Sequence, residues 1–203
     1  MIYPEDFINK IICGDCLEVM KEMPSECVDM VFTDIPFDEP IEKGVFYEMA
    51  RVLKDNSWFV FWFPEKYLPH YVSICGDYLT YVWTLTHHRY NSGRFCPIGF
   101  SKKEQLLIYK KGKPKMQKRI EDIFVYPNMK LKNDIDHPYC KHREMVRFWI
   151  DRFTPENTII FDPFIGSGTT AVACQDLGYN FIGIEISPDY CKIAEGRLVH
   201  GVL

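Results

Sequence analysis

Along this chain, short unbroken apolar runs alternate with stretches in which apolar residues return every three or four positions. Seven runs read as strands, at residues 10–13, 28–33, 58–63, 81–86, 105–109, 158–161 and 181–184. Those at 28–33 and 58–63 are almost continuously apolar, the pattern of strands covered on both faces. Between them lie helical patterns. Phe46, Met49, Ala50 and Leu53 fall at i, i+3, i+4 and i+7, and Met145, Phe148 and Trp149 begin the same pattern in a helix around 141–153. A third helix is expected at 169–177, with Gly178 at its C-terminal cap. Ser187 and Pro188 supply an N-cap and a first-turn proline for a fourth, with Tyr190, Ile193 and Ala194 as its apolar face.

This alternation predicts one α/β domain over residues 1–203, a mostly parallel sheet with helices on both faces. The rhythm breaks between 87 and 136, where Gly, Pro, Lys and Asn accumulate around a single clear strand. That stretch reads as an insertion projecting from the sheet. An apolar fraction of 47% with 15% aromatic residues describes a folded chain. The longest apolar run, at 58–63, is far short of a membrane span. With Glu5 and Asp6 in the first ten residues no signal peptide is visible, so the expectation is a cytoplasmic protein without a membrane partner.

The eight cysteines then read as small hydrophobes in a reducing compartment. Cys13 and Cys16 have CxxC spacing, but no second ligand pair follows, so no metal site is expected. Net charge is −4, yet residues 102–119 hold eight basic side chains against one acid, Glu104. A solvated face is the ordinary explanation, and a phosphate-facing surface is the other.

The chemistry concentrates in one segment. Residues 158–171 read as a strand, a tight glycine turn and a helix, through Asp162-Pro163-Phe164-Ile165-Gly166-Ser167-Gly168-Thr169-Thr170. Gly166, Gly168 and Ala171 satisfy the spacing of a dinucleotide loop, with Glu185 at about the ribose-binding distance, although a lone match of this kind is weak. A dinucleotide fold builds its second half after that loop. Here 18 residues follow Glu185, so most of the sheet must come from upstream. Asp162, just ahead of the loop, suits a cationic group. A cofactor with a ribose and an ammonium but no pyrophosphate fits better, and S-adenosylmethionine is such a molecule.

Three further segments accompany the loop: Cys13-Gly14-Asp15 after the first strand, Asp34-Ile35-Pro36-Phe37 after the second, and His137-Pro138-Tyr139-Cys140-Lys141 ahead of the loop's own strand. In this order they resemble the β-class amino-methyltransferases of DNA, which modify adenine N6 or cytosine N4, and the resemblance spans nearly the whole chain. It implies a Rossmann-like, circularly permuted methyltransferase sheet, S-adenosylmethionine as cofactor, and DNA as partner. The stretch 87–136 would be the target-recognition segment.

By that resemblance Asp162, Phe164, Gly166 and Gly168 would line the methionine end of the cofactor, with Pro163, Ser167, Thr169 and Thr170 also cofactor-binding. Glu185 would meet the ribose hydroxyls and Asp15 the adenine amino group, with Ile186 and Cys16 beside them also cofactor-binding. His137, Pro138 and Lys141 would close the pocket, with Asp34 shared between cofactor and target. Asp34, Ile35, Pro36 and Phe37 would hold the base, and Lys102, Lys103, Lys110, Lys111, Lys113 and Lys115 would meet phosphates. The family's usual catalytic segment is Asp-Pro-Pro-Tyr. Ile35 keeps the main-chain carbonyl of the first proline, and Phe37 keeps the stacking face of the tyrosine. Asp34, where cytosine-N4 members often carry serine, tilts the expectation towards adenine N6. Cytosine N4 and a non-catalytic cofactor-binding relative of the same fold stay open. So does a dimer partner, because under ~50 residues is a small surface for reading sequence.

Overall fold

The computed structural model describes residues 1–88, 94–125 and 141–200. Eight strands form one sheet: β1 (Lys10–Cys13), β2 (Val28–Asp34), β3 (Leu53–Trp62), β4 (Thr80–His88), β7 (Lys103–Lys111), β8 (Ile123–Val125), β9 (Ile159–Asp162) and β10 (Asn180–Glu185). The spatial order is β1-β10-β9-β2-β3-β7-β4-β8. The first five strands in that order run parallel. β7 joins β3 antiparallel and β4 antiparallel, and β8 joins β4 parallel. Two short strands, β5 (Arg94–Cys96) and β6 (Gly99–Ser101), pair as a separate hairpin.

Helices α1 (Cys16–Lys21), α2 (Lys43–Val52) and α3 (Leu68–Cys75) cover one face, and α4 (Arg143–Phe153), α5 (Thr169–Leu177) and α6 (Pro188–His200) the other. Successive strand residues point to opposite faces, so each inner strand feeds both cores. In β3, Phe59 and Phe61 pack with Phe46 and Tyr71, while Val60 and Trp62 pack with the core around Trp149. Both apolar runs expected to be covered on two faces therefore are. All seven expected strands form, as do the four expected helices.

Some boundaries differ. Leu53 caps α2 and starts β3 rather than extending the helix, because its main chain turns extended there. α6 buries Cys191, Ala194 and Arg197, while Tyr190 and Ile193 are exposed, a rotation of the face expected for that helix. The stretch expected to project from the sheet divides. Residues 103–111 form β7, an inner strand buried between β3 and β4, and among the described residues of this stretch the β5–β6 hairpin pairs outside the sheet. No helix among the described residues is long and apolar enough to cross a membrane.

The sheet order places β9 beside β2, although 128 positions separate Asp34 from Asp162. From β9 the chain leaves into α5 on one face, and from β2 into α2 on the other. Such a reversal opens a crevice at the carboxyl ends of the strands, where open α/β sheets take their ligands.

Candidate active site

Four acids end four adjacent parallel strands along this edge: Asp15 just past β1, Glu185 at the end of β10, Asp162 at the end of β9 and Asp34 at the end of β2. Asp162 is buried. Its Oδ1 accepts from Thr33 Oγ1 at 2.5 Å and from the Phe164 N–H at 3.1 Å. Burial nevertheless drives its pKa up to about 7, helped by the charge of Asp34, with the Thr33 and Thr170 hydroxyls and the Phe164 N–H offsetting part of the rise.

After Asp162 the chain turns through Gly166 (φ 53°) and Gly168 (φ 83°) into α5. A Cβ on Gly168 would stand 2.8 Å from that of Ala194, so α6 packs directly on the loop and only glycine fits. From the same helix Arg197 reaches under the turn. Its Nη1 donates to the Ser167 carbonyl at 2.7 Å and to Thr169 Oγ1 at 3.2 Å. The Glu185 carboxylate accepts from the Gly166 N–H at 3.0 Å and the Ser187 N–H at 2.8 Å. Gly14 N–H donates to the Glu185 carbonyl at 2.9 Å, which ties the Asp15 turn to the same edge. Asp15 Oδ1 caps α1 through the Glu18 N–H. Cys16 begins that helix half-buried, and Ile186 is exposed.

On the β2 side, Ile35 is buried in the core below the sheet edge and its N–H donates to the Trp62 carbonyl at 3.3 Å. Core packing thus fixes the residue that stands where the family has proline. Pro36 is exposed and Phe37 half-buried. A cavity of about 260 Å³ is lined by Asp34, Ile35, Pro36 and Phe37 from one strand end and by Asp162, Phe164, Gly166, Ser167, Thr169 and Thr170 from the other. The two segments that looked chemical in the sequence face each other across it.

Lys141 lines the same cavity, and its ammonium is turned to the acid. Nζ lies 3.1 Å from Asp34 Oδ2 and 3.6 Å from Glu104 Oε2, and about equally far from the Phe37 and Trp62 rings (5.4 and 5.2 Å). Glu104 in turn stands 3.8 Å from His87 Nδ1 on the neighbouring strand. His137 and Pro138 lie outside the described residues.

The basic run does not form one surface. Lys103 lies just past the carboxyl end of β3, whereas Lys110 and Lys111 pair with Trp58 and Ser57 in its middle, ~20 Å away along β7. Lys113 and Lys115 follow at that far end. Lys111 Nζ donates to the Ala50 and Leu53 carbonyls, so it satisfies the end of α2. Only Lys102 and Lys103 stand at the edge that carries the cavity. Trp62 lines the cavity, Glu104 and His87 stand behind Lys141, and Arg197 supports the glycine loop; the sequence assigned none of the four to the site.

The model of the N6/N4 DNA methylase family matches residues 28–196. The chain belongs to this family. Among curated relatives, the DNA adenine methyltransferase YhdJ of Escherichia coli (strain K12) is 26% identical, the match covering 93% of this chain and 82% of YhdJ. Among solved structures, M1.HpyAVI in complex with SAM superposes with a TM-score of 0.75 at 23% identity, covering 93% of this chain and 98% of that one. The cytosine-N4-specific PvuII DNA methyltransferase superposes at 0.78 with 18% identity, covering 98% and 91%. Both structures share the fold: a methyltransferase sheet with helices on each side. As a member of this family the chain is a DNA methyltransferase.

Proposed function

We propose that this methyltransferase moves a methyl group from S-adenosylmethionine to the N6 amino group of adenine in DNA. The observation that carries the reading is the shared cavity, in which the Asp34 segment and the glycine loop stand face to face. The donor set suits the cofactor. The bare Gly166–Gly168 turn leaves room for close approach, the Glu185 carboxylate suits hydroxyl groups, and the buried Asp162 carboxyl is raised to about 7 in a place where a cation would stabilise its charge. When bound, S-adenosylmethionine supplies a methyl group on a sulfonium.

The chain's own task is to make a poor nucleophile attack. An exocyclic amine delocalises its lone pair into the ring. The Asp34 carboxylate, acceptor-only when ionised, takes one amino hydrogen, and the Ile35 carbonyl takes the other. Both bonds favour a pyramidal nitrogen whose lone pair leaves the ring plane. The target must leave the duplex to reach them, and Phe37 offers it a stacking face. The Lys141 ammonium pairs with the Asp34 carboxylate, and Glu104 gives that ammonium a second acceptor when the amine takes its place. Orientation in a closed site then carries most of the acceleration. Adenine is favoured over cytosine by the acid at position 34.

The test is transfer of labelled methyl to unmethylated genomic DNA followed by nucleoside mass spectrometry, beside an Asp34→Ala variant. N6-methyladenine from the parent alone is the expected outcome. N4-methylcytosine would replace only the base, and no transfer despite cofactor binding would overturn the reading.

A further inference from the structure

The β5–β6 hairpin has a composition that its place in the fold does not explain. Ribbons of three residues per strand contribute little stability by themselves. This one stands outside the eight-stranded sheet and carries three large apolar side chains in solvent: Phe95 (83% exposed), Ile98 at the turn (98%) and Phe100 (65%). Phe95 and Phe100 are cross-strand partners whose rings lie 4.5 Å apart, so they form one apolar surface with Ile98 projecting at its tip. Exposed apolar clusters of this kind mark binding surfaces.

What the cluster faces narrows the partner. Together with Phe37 and Trp62 it lines a cavity of about 820 Å³, and those two rings also line the smaller cavity that holds Asp34. The hairpin therefore walls a cavity that adjoins the one holding Asp34. The charge of that wall is also biased. Of its acids, Glu65 is held by Lys103 at 2.8 Å and Glu104 lies beside Lys141, while Lys66 and Lys102 are exposed on the same rim. An apolar wedge with a cationic rim, opening onto an aromatic-lined site, suits a base stack flanked by phosphates.

We propose that the β5–β6 hairpin is the element that opens the duplex: Ile98 and Phe95 enter the base stack beside the target, occupying the space the base vacates as it moves towards Phe37. Lys66 and Lys102 hold the flanking phosphates. This rests on the proposed action on DNA and specifies how the base reaches the site. Unstacking costs a few kcal/mol in a duplex and almost nothing in a single strand. The hairpin's work is thus confined to duplex substrate.

The experiment compares initial rates of labelled-methyl transfer to unmethylated genomic DNA, native and heat-denatured, for the parent chain, Ile98→Ala and Phe95→Ala. Both positions are solvent-exposed, so the variants keep the core. The readout is the native-to-denatured rate ratio, which should fall about tenfold in each variant. An unchanged ratio, whether the rates drop together or not at all, would overturn the proposal, as would a parent chain unable to use denatured DNA. Conversion of a dimer to a monomer by Ile98→Ala, with the ratio unchanged, would assign the surface to a second copy of the chain instead. If the parent transfers to neither substrate, the action on DNA fails first and the hairpin's role with it.

Discussion

Replacing Asp162 by Asn should make the cofactor-free protein more stable at pH 8 while weakening it as an enzyme. The reasoning starts from burial. In the unfolded chain this carboxyl ionises near its ordinary 3.8, whereas the folded chain holds it up to about 7. Below pH 4 both states keep the proton and the group is neutral in its effect. Between roughly pH 4 and 7 the unfolded state loses the proton first, so folding stability falls as pH rises, and above 7 the loss is complete. At ~1.4 kcal/mol per tenfold in proton affinity the gap amounts to about 4 kcal/mol at most, and relaxation of the site should leave ~1–2. Asn retains an oxygen for Thr33 and the Phe164 N–H, and its amide can meet Thr170. Thermal denaturation of both proteins across pH 4–8 is the assay. The difference in Tm, variant minus parent, should grow with pH by several degrees, taking ~2–4 °C per kcal/mol for a domain of this size. A difference that is flat with pH, or a variant that loses stability at pH 8, would show that burial does not raise the Asp162 carboxyl. The same variant should bind S-adenosylmethionine at least tenfold more weakly by calorimetry, because a neutral amide cannot answer a cation.

Other expectations follow from the same geometry. Gly168→Ala forces a Cβ against Ala194 at positive φ and should cost ~2–3 kcal/mol with loss of cofactor binding, whereas Gly178→Ala, with open space around it, should cost only ~1 kcal/mol. A denaturant titration of the two variants separates them. Arg197→Met removes the donor beneath the loop and should raise the KM for the cofactor about tenfold or more with a smaller change in kcat, read from steady-state kinetics. Lys111→Met should destabilise the fold by ~1–2 kcal/mol and leave DNA affinity intact, while Lys102→Ala should lower DNA affinity and flatten its salt dependence by about one phosphate contact. Fluorescence anisotropy on a labelled duplex at several salt concentrations checks both.

The large elements were legible because their apolar runs were long enough to declare a period. β2 and β3 read as two-sided strands from sequence, and the Asp162 to Thr170 segment read as a strand, turn and helix. What escaped was short or depended on distant partners. α1 spans six residues and buries only Val19 and Met20, too few to set a helical period. β5, β6 and β8 have three residues each, and the large apolar side chains of the hairpin face solvent, so no alternation marked it. The basic run misled because a sequence counts charges without saying that an extended strand carries them to opposite ends of a sheet. Glu104 and Arg197 did leave a trace. One is the lone acid in that basic run, and the other is a cation at the i+3 position from Ala194 on the buried side of its helix. Their partners, Lys141 and the glycine loop, are far away along the chain, which local pattern cannot reach.

The position of β10 bears on how the molecule comes into being. β1 has a single neighbour in the sheet, and that neighbour is β10, with the Phe181 N–H bonded to Asn9 across 172 positions. β2 meets β9 at a comparable remove. During synthesis β1 must therefore stay unpaired until residues 180–185 have been made. Contacts so distant in sequence slow folding, because loop closure must be met before they repay it. The acid that would grip the substrate and the turn that would cradle the cofactor come together in that same late step. The edge that β2 offers to β9 stays uncovered until residues 159–162 follow.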